Sequence, residues 1–210
     1  MPLSDPGVTA YYPSVAMDGY GYSVALWTQY DSYGQMQLFG RAFDPMGMSL
    51  GGAFQVSDYA GSTMGVPTIV ANDYGQYLAV WSGYNSMDYS THVFARRLYA
   101  GGVSGSQVQV DSGSSSYNYI NYYTRAAGID NSGNAVVGWQ QYDMYWNPQL
   151  VVQRLDTFDM PLGSEIVIFS QSSSSGNGPA VAMAEDGRFA AAYDASSGSS
   201  AHVFVQLFDP

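Results

Sequence analysis

The chain has 210 residues, is 46% hydrophobic and carries a formal net charge of −11, with six arginines, no lysine and no cysteine. This length and apolar content suit one domain with a sizeable core, and the lack of cysteine excludes a disulfide framework and a thiol nucleophile. Acidity without a basic patch argues against nucleic-acid binding and attachment to anionic membranes, and no apolar run is long enough to insert as a transmembrane helix.

Four segments of the chain resemble one another. They cover 13–27, 67–81, 125–139 and 179–193 and read PSVAMDGYGYSVALW, PTIVANDYGQYLAVW, RAAGIDNSGNAVVGW and PAVAMAEDGRFAAAY. Each has a glycine eight residues after its start and an aromatic residue six positions later, and the starts are 54, 58 and 54 residues apart. A repeat of about fifty residues filled with strand patterns is typical of a β-propeller.

Each repeat predicts four strands in the same order. An apolar strand ends in a hairpin turn that contains Gly21, Gly75, Gly133 or Gly187, and a second strand then runs to the aromatic residue. This aromatic position, Trp27, Trp81, Trp139 or Tyr193, is expected to pack between blades. The third strand returns after a polar loop, as in QLFGRAF and HVFARRL, and the fourth is predicted at 53–56, 107–110 and 165–168. No stretch has helical periodicity, so the chain is predicted to be all-β.

The ends of the chain predict how the propeller closes. We expect a single β-propeller domain over 1–210, with blades at roughly 13–66, 67–124, 125–178 and 179–210 plus 1–12. The fourth repeat ends before its fourth strand, and the two termini joined end to end read FDP-MPL, which resembles the FDPM at 43–46. The N-terminal segment is therefore predicted to be the outer strand of the last blade, closing a four-bladed ring. The alternative is that the chain forms half of a larger propeller.

The repeat also resembles a known group of proteins. The pattern P-x-V-A-x-D-x-x-G…W…R-x-F-D is similar to the blade repeats of secreted bacterial β-propeller proteins, and a four-bladed ring is similar in size to the hemopexin domain. The cysteine pair that seals hemopexin rings is absent. The resemblance implies blade geometry and no activity. The bias toward Tyr, Ser, Gly, Asn and Asp predicts an extracellular or cell-surface protein whose export signal is not in this chain.

Polar and aromatic residues concentrate in the loops between second and third strands. In a propeller these loops share one face with the connections between blades, which here contain Tyr11, Tyr12, Tyr59, the tyrosine-rich run 117–123 and a serine tract at 172–175. Tyrosine offers a flat surface with a polar tip that can stack on a sugar or contact a protein. We call this surface the loop face, and its candidate ligand-binding residues are Tyr30, Asp31, Tyr84, Asn85, Tyr89, Tyr142, Asp143, Tyr145 and Trp146.

The opposite hairpin turns suggest a metal site. Asp18, Asn72 and Asp130 precede the hairpin glycines and could surround the central channel, where carboxylate and carbonyl oxygens would bind Ca²⁺. The competing interpretation is that they start turns by bonding their own backbone. Apart from this ion, no cofactor is expected.

The sequence lacks recognisable catalytic motifs. Glu165 and Glu185 are predicted to lie away from the loop face, and His92 and His202 occupy one third-strand position in blades across the ring from each other. We therefore interpret both histidines as structural and expect no Ser–His pair. The sequence predicts a protein that is not an enzyme, an extracellular recognition module that binds glycan or a surface protein. The alternative is a structural, self-associating module of a cell-surface layer, stalk or filament, which would form a homo-oligomer.

Overall fold

The computed structural model describes residues 3–4, 7–58, 61–85, 89–113, 126–143, 145–170, 178–197 and 200–210. Within these ranges the chain is all-β, and its strands form four antiparallel sheets that follow one another along the sequence. Each sheet corresponds to one of the four repeats, and we call the sheets blades one to four.

The strands of each blade are arranged in sequence order. Blade two has a fifth short strand, because β8 and β9 both pair with β7, and three strands form blade four. The strands are β1 (Ala10–Met17), β2 (Ser23–Tyr30), β3 (Met36–Phe43) and β4 (Phe54–Gln55) in blade one; β5 (Gly61–Ala71), β6 (Tyr77–Asn85), β7 (Ser90–Tyr99), β8 (Gly102–Val103) and β9 (Val108–Gln109) in blade two; β10 (Ala126–Ile129), β11 (Ala135–Tyr142), β12 (Pro148–Leu155) and β13 (Pro161–Ser170) in blade three; and β14 (Ala180–Met183), β15 (Phe189–Ser197) and β16 (Ser200–Phe208) in blade four.

The hydrophobic core lies between the blades. The central strands are apolar on both faces because each face packs against a neighbouring blade. Leu26 of blade one packs in one cluster with Ile69 and Trp81 of blade two, and similar clusters join blade two to three and blade three to four. Trp81 and Trp139 are almost fully buried in these clusters, which confirms the prediction that the repeated aromatic position packs between blades.

The first strands of successive blades line the inside of the arc. β1 packs against β5, β5 against β10, and β10 against β14. The approach of β10 to β14 is so close that a Cβ atom added at Gly128 would lie 2.6 Å from the Cβ of Met183. A residue without a side chain at this position therefore fixes the spacing between blades three and four.

The described residues form an open arc. Residues 7–9 belong to no strand, and blade four has three strands, so the closure predicted for the N-terminal segment is not observed there. Val203 and Val205 on the outer face of blade four are 77% and 61% exposed, whereas Val93 and Ala95 at the equivalent positions of blade two are buried. The physical reason is that no described blade covers this face of blade four.

None of the described residues forms a helix long and apolar enough to span a membrane.

Candidate functional site

One turn recurs at the ends of these hairpins. In this turn an aspartate or asparagine accepts hydrogen bonds on its side-chain Oδ1 from the backbone N–H groups two and four residues later, as Asp31 does from Tyr33 and Gln35 at 2.9 Å each. The N–H of the fourth turn residue, here Gly34, bonds back to the Asp31 carbonyl. The side chain thus closes the hairpin locally. All three bonds occur at Asp18, Asp31, Asp44, Asp143 and Asp156, and two of the three occur at Asn72 and Asp130.

The predicted metal ligands belong to this set of turns. Oδ1 of Asp18 accepts the N–H groups of Tyr20 and Tyr22, and its Oδ2 accepts the hydroxyl of Tyr77 at 2.9 Å. The Asn72 amide donates to the Asp130 carbonyl at 2.9 Å, which links blades two and three. Among the described residues no three His, Cys, Asp or Glu side chains cluster as metal ligands would. Calcium binding stays a prediction, and the turn bonds account for these residues without it.

The acidic residues of the loop face also form turns. Asp143 accepts the N–H groups of Tyr145 and Asn147 on Oδ1 and the Asn147 amide on Oδ2. These bonds hold the pKa of the Asp143 carboxyl below its usual range, and the bond from the Asn147 side chain has the largest effect. Asp31 differs, because its Oδ2 has no hydrogen-bond partner among the described residues. This oxygen is buried, so Asp31 too acts mainly by shaping its turn.

The aromatic residues of the loop face project into solvent. Tyr89 is 79% exposed, Tyr145 75% and Trp146 60%, and Tyr30 and Tyr84 are also exposed. Tyr142 is half-buried and its ring lies 6.2 Å from that of Trp146, centre to centre. In blade one, Tyr30 meets Tyr11 edge to face at 6.4 Å. The described ring contacts on this face lie within single blades, so the aromatic residues that the structure describes here form small separate clusters.

Two of these aromatic residues occupy backbone conformations that favour glycine. Trp146 has φ +63° and Tyr89 has φ +58°, while Gly34, which occupies the Trp146 position in the turn of blade one, has φ +75°. A bulky residue in the left-handed region is uncommon and costs about 1–2 kcal/mol. Strained residues of this kind cluster at functional sites. The exposed Trp146 ring is thus a feature that the fold itself does not require.

Some residues predicted for this face lie outside the described residues. They are Tyr59, the run 117–123 and the serine tract 172–175. Asn85 is the last residue of β6 and pairs with Ser90 at the start of β7, which places it at the same loop as Tyr84 and Tyr89.

The prediction that the chain contains no Ser–His pair is wrong. Ser90 Oγ lies 2.7 Å from Nε2 of His92, and Nδ1 of His92 lies 2.8 Å from Oδ2 of Asp111. The amide nitrogen of Gln109 is 3.0 Å from the same Nδ1. Sequence analysis compared the two histidines with each other and missed a serine two residues before His92, on the same side of one strand. The repeated Ser-x-His at 90–92 and 200–202 is the signal that could have revealed it.

The same position in blade one holds a simpler contact. Gln37, equivalent to His92, accepts the hydroxyl of Ser57 at 2.7 Å, and Ser57 in turn accepts the N–H of Leu38. In blade two Asp111 takes the place of Ser57 and accepts the N–H of Val93 at 2.7 Å. Both pairs therefore attach the third strand to the segment that follows the fourth.

A groove lies beside this trio, between the outer strands of blades two and three. It has a volume of about 580 Å³ and is lined by residues that include Asp111, Ser112, Gln153 and Glu165. The Glu165 carboxylate accepts the N–H of Ser112 at 2.6 Å. Glu165 therefore contacts the residue that follows Asp111 in the chain.

The chain is similar in fold to several solved structures. A Hadza microbial sialidase matches with a TM-score of 0.63 and 10% identity over 94% of this chain, and an endo-arabinase from Bacteroides thetaiotaomicron with 0.53 and 11% over all of it. A protein of unknown function from Dyadobacter fermentans matches with 0.58 and 13% over 96%. The matches cover 44%, 76% and 66% of those proteins, so this chain spans less than half of the sialidase. No protein-family model matches, and no curated protein is similar.

These matches establish a fold of the β-propeller type and correct the predicted function. Structures with this fold include glycoside hydrolases, so the predictions of a non-catalytic recognition module, of a structural self-associating module and of no enzyme are overturned. The error came from searching for catalytic motifs along the sequence, whereas a propeller collects catalytic groups from separate blades. No comparison establishes kinship with secreted bacterial repeat proteins or with hemopexin, which stays a resemblance.

Proposed function

We propose that the chain is the propeller part of a glycan-active enzyme of the glycoside hydrolase type. The observation that carries the proposal is the fold likeness to the sialidase, which extends over 94% of this chain. The endo-arabinase likeness supports the same substrate class, because both proteins are named for acting on glycans. We also propose an extracellular or cell-surface location, where such substrates occur.

We propose that the loop face contacts the glycan. Exposed aromatic rings stack on the apolar faces of sugars, and the neighbouring amides and carboxylates accept or donate hydrogen bonds to hydroxyl groups. The aromatic residues Trp146 and Tyr89 support this role most strongly, because each keeps an exposed ring at a position where glycine would be less strained. Asp31, Asp143 and Asn85 would act mainly by shaping their loops.

We propose that further blades complete the ring, as in the alternative of a larger propeller. Val203 and Val205 stand at positions that blades two and three bury, yet they are exposed here. Exposed apolar residues in such a row favour coverage by another blade. Replacing both by Ser should leave the melting temperature of this chain unchanged. A fall as large as that caused by Val93→Ser would instead indicate that blade one already covers this face.

The function is tested by assaying the full chain on arabinan and on sialosides and measuring released sugar. We expect turnover of at least one glycan, and saturable binding of the same glycan by calorimetry. The paired substitution Tyr142→Ala and Trp146→Ala should weaken binding at least tenfold, about 1.4 kcal/mol, with little change in melting temperature.

A matched control lies on the opposite face. Tyr20 and Tyr74 are exposed to a similar degree, and their paired replacement by Ala should leave glycan binding unchanged. Loss of binding in this pair, with none in the Tyr142 and Trp146 pair, would place the site on the other face. No turnover of any glycan would overturn the enzymatic proposal. A chelator distinguishes a calcium requirement, since its addition would then abolish binding.

A further inference from the structure

The Ser-x-His sequence occurs twice, and among the described residues one copy contacts an acid. Ser90 and His92 begin β7, and Ser200 and His202 begin β16 at the equivalent positions of blade four. His202 is exposed, and the sheet of blade four has no fourth strand among the described residues. In blade two, by contrast, Asp111 lies two residues after β9, and its carboxylate reaches the imidazole at 2.8 Å.

The hydrogen bonds fix which nitrogen of His92 carries the proton. Asp111 accepts the N–H of Val93 on Oδ1 and that of Gly113 on Oδ2, as a carboxylate does. A carboxylate only accepts, so Nδ1 donates to Oδ2. The Gln109 amide nitrogen, 3.0 Å from Nδ1, is a donor as well, and its protons are taken by the carbonyl and Oδ2 of Asp111. Nε2 then carries the lone pair and accepts the hydroxyl of Ser90. This is the arrangement of a general base held by an acid.

Burial decreases from the acid and the base to the serine. The side chains of His92 and Asp111 are almost completely buried. Ser90 is half-buried, at the end of its strand, and follows the exposed Tyr89 in the chain. A buried acid and base behind a serine that solvent reaches is what a nucleophilic site requires.

Blade structure alone does not require this chemistry. In blade one, Gln37 and Ser57 make the equivalent contact between third strand and following segment with two neutral side chains. His92 and Asp111 in blade two therefore provide a path for proton transfer, which is not needed to attach the third strand to the following segment. The serine completes it at the surface.

We infer that Ser90, His92 and Asp111 form a site that hydrolyses esters of small acyl groups, acetyl among them. Ser90 Oγ attacks the acyl carbon while its proton passes to Nε2 of His92, giving a tetrahedral intermediate. The intermediate expels the alcohol, which takes that proton, and leaves the acyl group on Ser90. Water then attacks the acyl-serine, giving one proton to His92, and the carboxylic acid leaves as Ser90 recovers the proton. This activity is separate from glycoside hydrolysis and does not depend on it.

The test is hydrolysis of p-nitrophenyl acetate by the full chain, with labelling of Ser90 by a fluorophosphonate read by peptide mass spectrometry. Ser90→Ala and His92→Gln should each reduce the rate at least about 100-fold, and Ser90→Ala should abolish labelling. No hydrolysis or labelling of the parent chain would overturn the inference, and so would an unchanged rate in Ser90→Ala.

The repeats provide two controls against unfolding. The double substitution His92→Gln and Asp111→Ser installs the pair found in blade one, so it should keep the melting temperature close to that of the parent while activity is lost. His202→Gln alters the copy in blade four, which meets no described acid, and should keep full activity. Equal losses in His92→Gln and His202→Gln would overturn the assignment.

Asp111 is a positioning residue, and its role is read from the pH dependence. Asp111→Asn removes the negative charge that stabilises the imidazolium form of His92. The acid limb of the pH–rate profile should therefore move to lower pH, together with a reduced maximum rate. A reduced rate with an unshifted acid limb would mean that Asp111 has only a structural role.

Discussion

Two turns of blade three use the same backbone for opposite purposes. Trp146 and Asp159 each occupy the fourth position of the turn, with φ +63° and +64°, and each N–H bonds back to the first residue, Asp143 or Asp156. Trp146 points an exposed ring into solvent, whereas Asp159 is buried and forms an ion pair with Arg97 of blade two. The same strain therefore supports a surface contact in one turn and an inter-blade contact in the other.

The buried ion pair is an unusual feature of the interface between blades two and three. Arg97 also donates to the carbonyl of Gly133 at 3.0 Å, but its Nε and Nη1 atoms have no described partner. Burial raises the pKa of Asp159, although the guanidinium of Arg97 acts in the opposite direction. The pair therefore stabilises the fold mainly by avoiding an unpaired buried charge.

Asp159→Gly gives the largest expected effect. Glycine suits the left-handed backbone, so the substitution removes the carboxylate without adding strain and leaves Arg97 buried and unpaired. We expect a loss of about 3–5 kcal/mol in the free energy of unfolding, measured by urea denaturation. Trp146→Gly is the matched control, because it makes the same backbone change at an exposed site. A loss of similar size in both variants would mean that the backbone, and not the ion pair, matters.

Tyr77→Phe tests a hydrogen bond between blades in which one partner, the tyrosine hydroxyl, is neutral. The buried hydroxyl of Tyr77 in blade two donates to Asp18 Oδ2 at 2.9 Å and lies 2.7 Å from the carbonyl of Tyr22 in blade one. Its removal leaves Asp18 Oδ2 without this donor, while the Tyr22 carbonyl keeps its bond from the Asp18 N–H, and should cost about 1–3 kcal/mol. Tyr74→Phe, on an exposed tyrosine of the same blade, should leave the unfolding free energy unchanged. An unaffected Tyr77→Phe would show that water replaces the hydroxyl.

The same hydroxyl predicts a dependence on alkaline pH. Burial, followed by the hydrogen bond and charge of Asp18, raises the pKa of Tyr77 far above its ordinary value of 10.0. The folded state therefore retains a proton that the unfolded chain releases, so this stability is complete below pH 10 and decreases above it. We expect a decrease of about 1.4 kcal/mol per pH unit between pH 10 and 11.5. Tyr77→Phe should have a shallower slope, and identical slopes would contradict the assignment.

Trp146→Gly gives the smallest effect, of opposite sign. It relieves the left-handed strain of a bulky residue while the glycine adds freedom to the unfolded chain, so we expect a gain of up to about 1 kcal/mol in unfolding free energy. Glycan binding should weaken in the same variant. A destabilised variant would indicate that contact with Tyr142 stabilises the turn by more than the strain costs.

The repeat pattern was sufficient to predict most of the blade structure. The predicted fourth strands at 53–56, 107–110 and 165–168 overlap β4, β9 and β13, and the hairpin glycines have positive φ as expected. This works because strand alternation and turn chemistry are local, and an aspartate can close its turn with bonds to residues two and four positions away. The exposed loop tyrosines were also predictable, because turns between strands lie at the surface.

The sequence by itself determined the strands, the turns and the repeated aromatic position between blades, since each depends on neighbours within a few residues. Only the tertiary structure decided which polar residues meet across the fold. Asp111 lies 19 residues from His92, and Asp159 lies 62 from Arg97, and each pair is brought together by the blades. The exposure of the outer face of blade four could likewise not be predicted from the repeat. Residues at the same repeat position are buried only if another blade covers them.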